Sequence, residues 1–387
     1  MKRRTGNPLL FVYLATFLFS THQALTAYVN STYLSTAISN QIVGVLYSIG
    51  SFITLFGLSF IPKVTSRFGN YRTTLGLYIF SGACLFLVGI GIAPLVTIIA
   101  FILYLCANNL IIFSTDIFVE HYAKRSTLGH SRGLYLTLVN LAWVGTPLLA
   151  GYIATNLGYS ALYGISFTYL LFGGFVIGRT CKDYKDARYV RMPVFRSLTL
   201  VHKNKDIERA IAANFILQFF YAWMVIYAPL YLHNVVGFGW DQIGIIFTIM
   251  LLPFILFEYP LGALADKYFG EKEILLLGFA IAGTTTIIFG TLHFDAPLLA
   301  WGFVLFMTRV GASMIESMTE IYFFKKISDK NTNLISVFRD TGPIAYTVAP
   351  LIASLLLIKL PYQSLFVVLG FVVWLGILVS LRLHDTK

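Results

Sequence analysis

Charged side chains are scarce in this chain. Asp, Glu, Lys and Arg together make up 12% of its 387 residues, about half the share found in a soluble globular domain. Cysteine is scarcer still. Cys84 and Cys106 lie in apolar stretches and Cys181 in a basic loop. Three such residues are too few and too scattered for a disulfide framework, and they are expected as unpaired thiols. What is abundant is apolar surface: 57% of the residues are hydrophobic, with 34 Phe and 23 Tyr, and the mean hydropathy is +0.77. One soluble core of this length could not hide that much. Disorder is excluded as well, so the composition points to a polytopic membrane protein.

Catalytic signatures are missing too. There is no Gly-x-x-x-x-Gly-Lys-Ser/Thr phosphate loop, which leaves ATP-driven transport by this chain unsupported. No His/Cys cluster has zinc spacing, no Gly-x-Ser-x-Gly elbow appears and no dinucleotide fingerprint follows a strand. Neither an enzyme, nor a metal, nor a bound cofactor is expected.

A hydrocarbon core about 30 Å thick needs about 20 apolar residues per helix. Twelve such stretches can be read, at 8–30, 41–61, 73–93, 95–118, 133–155, 159–179, 210–233, 241–262, 274–294, 297–322, 335–358 and 362–382. Twelve spans place both termini on one side, and Lys and Arg say which, because cytoplasmic loops retain positive charge. With the amino terminus in the cytoplasm, 25 of the 28 basic residues fall inside; only Lys359 lies outside, while Arg309 and Arg339 sit within spans. The net charge of +11 is thereby read as topology and not as a nucleic-acid footprint. The first stretch is too long for a signal peptide and is expected to be retained. The Asn30-Ser31-Thr32 sequon is read as chance.

Residues 181–208 are the one long polar stretch, and they divide the spans six and six. The halves echo one another. Ser66-Arg67-Phe68-Gly69 recurs as Asp266-Lys267-Tyr268-Phe269-Gly270, and Asp116, Glu120 and Tyr122 recur as Glu316, Glu320 and Tyr322 at an offset of 200. TPLLAG at 146–151 matches APLIAS at 349–354. Anchors in one order at a nearly constant offset indicate an internal repeat. The expected organisation is an all-α polytopic membrane protein: a six-helix bundle over 1–180, a basic cytoplasmic linker over 181–208 and a homologous bundle over 209–387.

This pattern resembles the major facilitator superfamily over essentially the whole chain. The most specific element is GALADKYFGEK at 262–272, similar to that family's loop between the second and third helices of each half. It carries one extra residue before Gly270, and Glu271 stands in a normally basic place. In the first-half copy, PKVTSRFGNYR at 62–72, Pro62 replaces the first Gly and Ser66 the Asp. The resemblance implies two bundles that rock about a central site, and charge pairs that latch the cytoplasmic mouth.

An ionisable residue inside a span costs at least about 2.5–3.5 kcal/mol on insertion scales, so each one requires a reason. Arg309, Glu316 and Glu320 are spaced seven and four apart in the tenth span and share a helix face. Asn109, Asp116 and Glu120 occupy the matching face of the fourth. Two readings compete for these carboxylates. In one, Glu120 and Glu320 pair with the neighbouring loops, through Arg67 or Arg72 and through Lys267 or Lys272, as the resemblance implies. In the other, Asp116 and Glu316, one turn deeper, carry a proton during transport. Arg309 would then tune the carboxylate or hold an anionic substrate. Glu258, Asp266, Arg339 and Asp340 extend the candidate cytoplasmic gate. His22, with Gln23 beside it at mid-span, is either a proton relay or a hydrogen-bonded cavity lining. Asn108, Asn109, Asn140, Trp143, Gln218, Tyr221, Trp223 and Tyr346 are the remaining mid-span groups. The resemblance directs many of them toward a substrate path near the midplane.

Gly145-Thr146-Pro147 in the fifth span is similar to the Gly-Pro motif of proton-coupled exporters in that family; a kinked, closely packed helix is the alternative. The expected function is secondary active transport of a small solute, coupled to the proton gradient, with efflux by antiport favoured. Two alternatives stand beside it: proton-coupled uptake of a polar or anionic solute, and a non-transporting receptor or scaffold. The protein is expected as a monomer in a bacterial or archaeal inner membrane, with the bilayer and a small solute as its partners.

Overall fold

The computed structural model describes residues 8–123, 128–184, 201, 204–257, 260, 261, 265, 270–326 and 333–384. Within them the chain is helical, in the order α1 (Pro8–Ala27), α2 (Asn30–Ser35), α3 (Asn40–Phe68), α4 (Asn70–Ile90), α5 (Pro94–Tyr122), α6 (Leu128–Asn156) and α7 (Gly158–Thr180). Then come α8 (Lys205–Leu230), a π-helical turn (Tyr231–Val236), α9 (Trp240–Leu256), α10 (Glu271–Thr291), α11 (Leu298–Lys326), α12 (Asn333–Leu356) and α13 (Tyr362–Leu381). Ten of the described helices are long and apolar enough to cross a bilayer. Of the two remaining long helices, α9 is apolar but has 17 residues; the expected stretch 241–262 runs on into residues outside those described. The other, α12, begins near Arg339-Asp340 and contains Pro343 and Pro350.

Each stretch read from the sequence holds a helix, and most helices run several residues further into the flanking polar sequence. Hydrogen bonding explains this: a helix satisfies its own backbone, so it does not stop where hydropathy does. The first stretch departs from expectation. It ends at Ala27, and Asn30–Ser35 forms a separate helix. Asn30 there is buried and accepts a hydrogen bond from the Tyr163 hydroxyl at 2.7 Å, which is consistent with the sequon being chance. The π-helical turn follows Pro229, whose missing amide proton weakens the regular ladder.

The chain divides into two compact units, Met1–Ile38 with Ile49–Val190 and Ser39–Ser48 with Arg191–Lys387. In the first, α1 packs on α6 and α7, and α4 on α5 and α7. In the second, α10 packs closely on α11 and α13, α9 on α11, and α8 on α11, α12 and α13. Without a hydrophobic drive between helices in lipid, close contact depends on small residues. At Gly311 a Cβ would lie 2.5 Å from the Ala282 nitrogen and 2.6 Å from the Gly278 oxygen, so α10 and α11 can meet there only without a side chain. The GxxxG at Gly174 and Gly178 is likewise used within the unit, where Gly174 faces the Tyr78 ring and Gly178 faces Leu75. Between α3 and α4 the chain turns on Gly69 at φ 84, a left-handed conformation that favours glycine. Large apolar side chains face outward, with Ile79 and Leu299 each 71% exposed. A protein in water could not leave so many uncovered, and a bilayer covers them. Cys84, Cys106 and Cys181 are free thiols.

Candidate functional site: polar clusters inside each unit

In the second unit the polar residues converge where α8, α11 and α12 meet. The spacing of Arg309, Glu316 and Glu320 on α11 sets one polar face, and α8 turns Tyr221 toward it. The Tyr221 hydroxyl donates to Glu316 Oε2 at 2.6 Å. The Arg309 Cζ lies 5.3 Å from the centroid of the same Tyr221 ring and 5.0 Å from that of Phe220. One side chain thus touches both ionisable residues, one at its hydroxyl and the other on its face. Arg309 is 1% exposed, and its Nε and Nη1 find no hydrogen-bonding partner among the described residues. A buried guanidinium held chiefly by two aromatic faces retains most of its attraction for an anion.

Toward the basic end of α11 a small cavity of about 100 Å³ opens, lined by Asn214, Gln218, Glu316, Glu320, Arg339 and Thr341 among others. Asn214 donates to Thr341 Oγ1 at 2.7 Å and to the Phe338 carbonyl at 3.3 Å, which fixes α8 against α12. Asn204 caps the start of α8 by accepting from the amides of Asp206 and Ile207. Arg339 meets Glu320 at 2.8 Å. With more than half of the Arg339 side chain exposed, that pair contributes little stability, about 1 kcal/mol at most.

Several candidate residues have partners that their spacing did not indicate. Glu320 pairs with Arg339 and not with Lys272, whereas Glu271, beside Lys272, takes Lys325 at 2.5 Å. The register of α12 decides this, since it brings Arg339 beside the last turns of α11. In the first unit Glu120 is exposed and forms no ion pair with Arg67 or Arg72 among the described residues. Trp223 was expected toward the substrate path. It is fully buried, and its indole N–H donates to the Ala349 carbonyl at 2.6 Å. The carbonyl supplies the partner that a buried indole requires. Asp340 and Tyr346 are half-buried on α12. Glu258, Asp266 and Lys267 lie outside the described residues.

The first unit has a polar cluster of another kind. His22 is fully buried, and its Nδ1 lies 2.7 Å from Ser166 Oγ. Ser166 donates its own proton to the His22 carbonyl at 2.9 Å, so Nδ1 must carry the imidazole proton. In the neutral ring Nε2 accepts from the Tyr104 hydroxyl at 3.1 Å, whose oxygen lies 3.3 Å from Thr26 Oγ1. One turn along α5, Asn108 accepts from Ser81 at 2.9 Å. The network ties α1 to α5 and α7, and both ring nitrogens of His22 are occupied by neutral groups. Of the other candidates, Asn109 donates to the Leu105 carbonyl of its own helix and Trp143 packs edge-on against Tyr28. Gln23, Asp116 and Asn140 are half-buried.

Ser166→Ala should remove the Nδ1–H acceptor and lower stability by about 1–3 kcal/mol, the cost of a stranded buried donor. Thermal unfolding in detergent would report this as a lower Tm. If His22 relayed protons, the same variant would instead shift the pH profile of transport.

Sequence reasoning missed Ser166 and Tyr104, because hydrogen bonds between helices leave no mark in spacing. Asn214 was within reach: it precedes Gln218 by four residues, hence on the same face of α8.

A search of protein families matches the Major Facilitator Superfamily model over residues 12–319 and 210–387. The chain belongs to the major facilitator superfamily. It is therefore a multi-pass membrane transporter and not an enzyme. Among solved structures, a crystal structure of a mutant of the nucleoside transporter NupG superposes with a TM-score of 0.78 at 11% identity, covering 98% of this chain and 100% of that one. A bacterial homologue of the iron transporter ferroportin in an inward-facing state gives a TM-score of 0.75 at 13% identity, covering 97% and 98% respectively. At these identities the likeness shows the shared fold. No curated protein matches the sequence.

Proposed function

We propose that this transporter couples movement of a small solute to the proton gradient, with Glu316 as the proton site and Arg309 and Tyr221 as its coupled partners. The observation that carries the reading is the contact of Tyr221 with both ionisable side chains, at 2.6 Å to the carboxylate and 5.3 Å from ring to guanidinium. Protonating Glu316 removes the charged acceptor of the Tyr221 hydroxyl, and an anion at Arg309 draws the guanidinium from the Tyr221 face. Either event is felt at the other end of one side chain. Twelve spans with both termini in the cytoplasm fit this reading, in which the bundles alternately open a midplane site. On it the protein works as a monomer in the plasma membrane of a bacterium or archaeon, without a bound cofactor or nucleic acid.

Gly145-Thr146-Pro147, with Pro147 inside α6, favours efflux by antiport. The buried and incompletely paired Arg309 favours a second reading, symport of an anionic solute. Proteoliposomes holding an internal pH dye, presented with a panel of solutes, separate them. Antiport predicts proton release from the lumen as a solute enters it, and symport predicts lumenal acidification with anionic solutes. Flux indifferent to the pH gradient would refute proton coupling, and no flux with any solute would favour a scaffold.

A further inference from the structure

Inside the first unit, α3, α4 and α5 enclose a groove of about 580 Å³ that the transport reading does not use. Clefts of about 300–1,000 Å³ are the size that holds small ligands. Its floor includes Ile61 and Leu110, and one wall is formed by Phe60, Val64 and Phe68 of α3. Those three are 55%, 38% and 56% exposed, so the groove opens sideways and does not lead into the core. From Phe60 to Phe68 the wall runs about 12 Å along the helix. Across it Gly76 of α4 leaves open space, since a Cβ there would meet nothing within 4 Å.

Among the described residues the charge around the groove is all of one sign. Arg72 lines it, Lys63 lies over the Phe60 ring at 5.4 Å and Arg67 over the Phe68 ring at 5.5 Å. No carboxylate lines the groove, and none pairs with these three cations among the described residues. An apolar slot about one acyl chain in character, with three cations along its rim, is complementary to one kind of molecule. We infer that this groove binds an anionic glycerophospholipid, with an acyl chain along Phe60, Val64 and Phe68 and the phosphate between Arg67 and Arg72. A zwitterionic lipid would bring its ammonium group toward the same cations and gain less. A soluble phosphate would leave the apolar wall uncovered.

The test uses delipidated, detergent-purified full-length protein titrated with dioleoyl phosphatidylglycerol or dioleoyl phosphatidylcholine, with bound lipid counted by native mass spectrometry. One phosphatidylglycerol is expected to bind about tenfold more tightly than phosphatidylcholine, the scale of one added charge interaction of about 1.4 kcal/mol. Gly76→Leu puts a side chain into the groove from a position where the Cβ meets no neighbour, and it should lower phosphatidylglycerol affinity at least tenfold without lowering Tm. Arg67→Gln with Arg72→Gln should bring the two lipids to equal affinity. Should that double variant fail to fold, Gly76→Leu alone decides. Equal binding of both lipids by the unmodified protein, or unchanged binding by Gly76→Leu, would overturn the inference. Displacement by glycerol 3-phosphate at matched concentration would do so too, because it would make the ligand a free phosphate.

Discussion

Glu316→Gln is expected to reduce transport driven by a pH gradient by about 100-fold or more, the lower end of what a positioned proton-transfer group contributes. The substitution keeps shape and keeps an oxygen to accept from Tyr221, so the polar junction of α8 and α11 survives. What is lost is the ability to take and give a proton. The variant should therefore still bind solute and exchange it across the membrane at equilibrium, while no longer accumulating it against a gradient. Tyr221→Phe should have a smaller effect of the same kind. It removes a hydrogen bond to a charged group, about 1.5–3 kcal/mol, which is roughly 10–100-fold in rate. Proteoliposome flux with and without an imposed pH gradient measures both. Full gradient-driven accumulation by Glu316→Gln would sink the assignment.

Arg309→Met should abolish transport and yet raise thermal stability. Arg309 is 1% exposed, and two of its nitrogens lack a partner among the described residues. Burying a charge without full pairing costs several kcal/mol, and an apolar side chain of similar length removes that cost. Each kcal/mol relieved should raise Tm by about 2–4 °C for a unit of this size. Met also refills the space between Phe220 and Tyr221, so no cavity penalty offsets the gain. Arg309→Lys should not restore function, because the planar guanidinium stacks on both rings and an ammonium does not. Scanning fluorimetry in detergent beside a flux assay tests both halves. A lower Tm for Arg309→Met would mean that Arg309 is a structural bolt and not a charge held for function.

The two carboxylates of α11 show how far spacing carries. Residues seven and four apart on a helix share a face whatever surrounds it, so the polar face with Arg309, Glu316 and Glu320 was legible in the sequence. Their partners were not. Glu320 was expected beside Lys267, which lies outside the described residues, or Lys272, and it stands beside Arg339. Lys272 and Arg339 are both cations near the same end of the same helix, and the choice between them depends on how α12 is rotated and shifted against α11. Trp223 is another such residue. Its place at mid-span follows from counting, but which way its ring turns depends on the Ala349 carbonyl of another helix. His22 is the clearest case. A lone histidine in a span reads as a relay or as a hydrogen-bonded lining, and its partners Ser166 and Tyr104, from two other helices, leave no trace in its own helix.

Charge scarcity by itself determined a great deal about this protein. It required a membrane, and the polar interruptions between apolar stretches marked out the helices and a family that the comparisons bear out. Hydrophobic length and helical periodicity are properties of a local segment, and each segment folds on them alone because a helix closes its own hydrogen bonds. The tertiary structure decided what each polar interruption is for. It joined Tyr221 to Glu316 and Arg309, tied His22 into a closed network, and left Arg72 at the mouth of an apolar groove. These are contacts between helices distant in sequence, set by rotation and depth. A helix's own residues fix neither quantity, because in lipid both follow from packing against its neighbours.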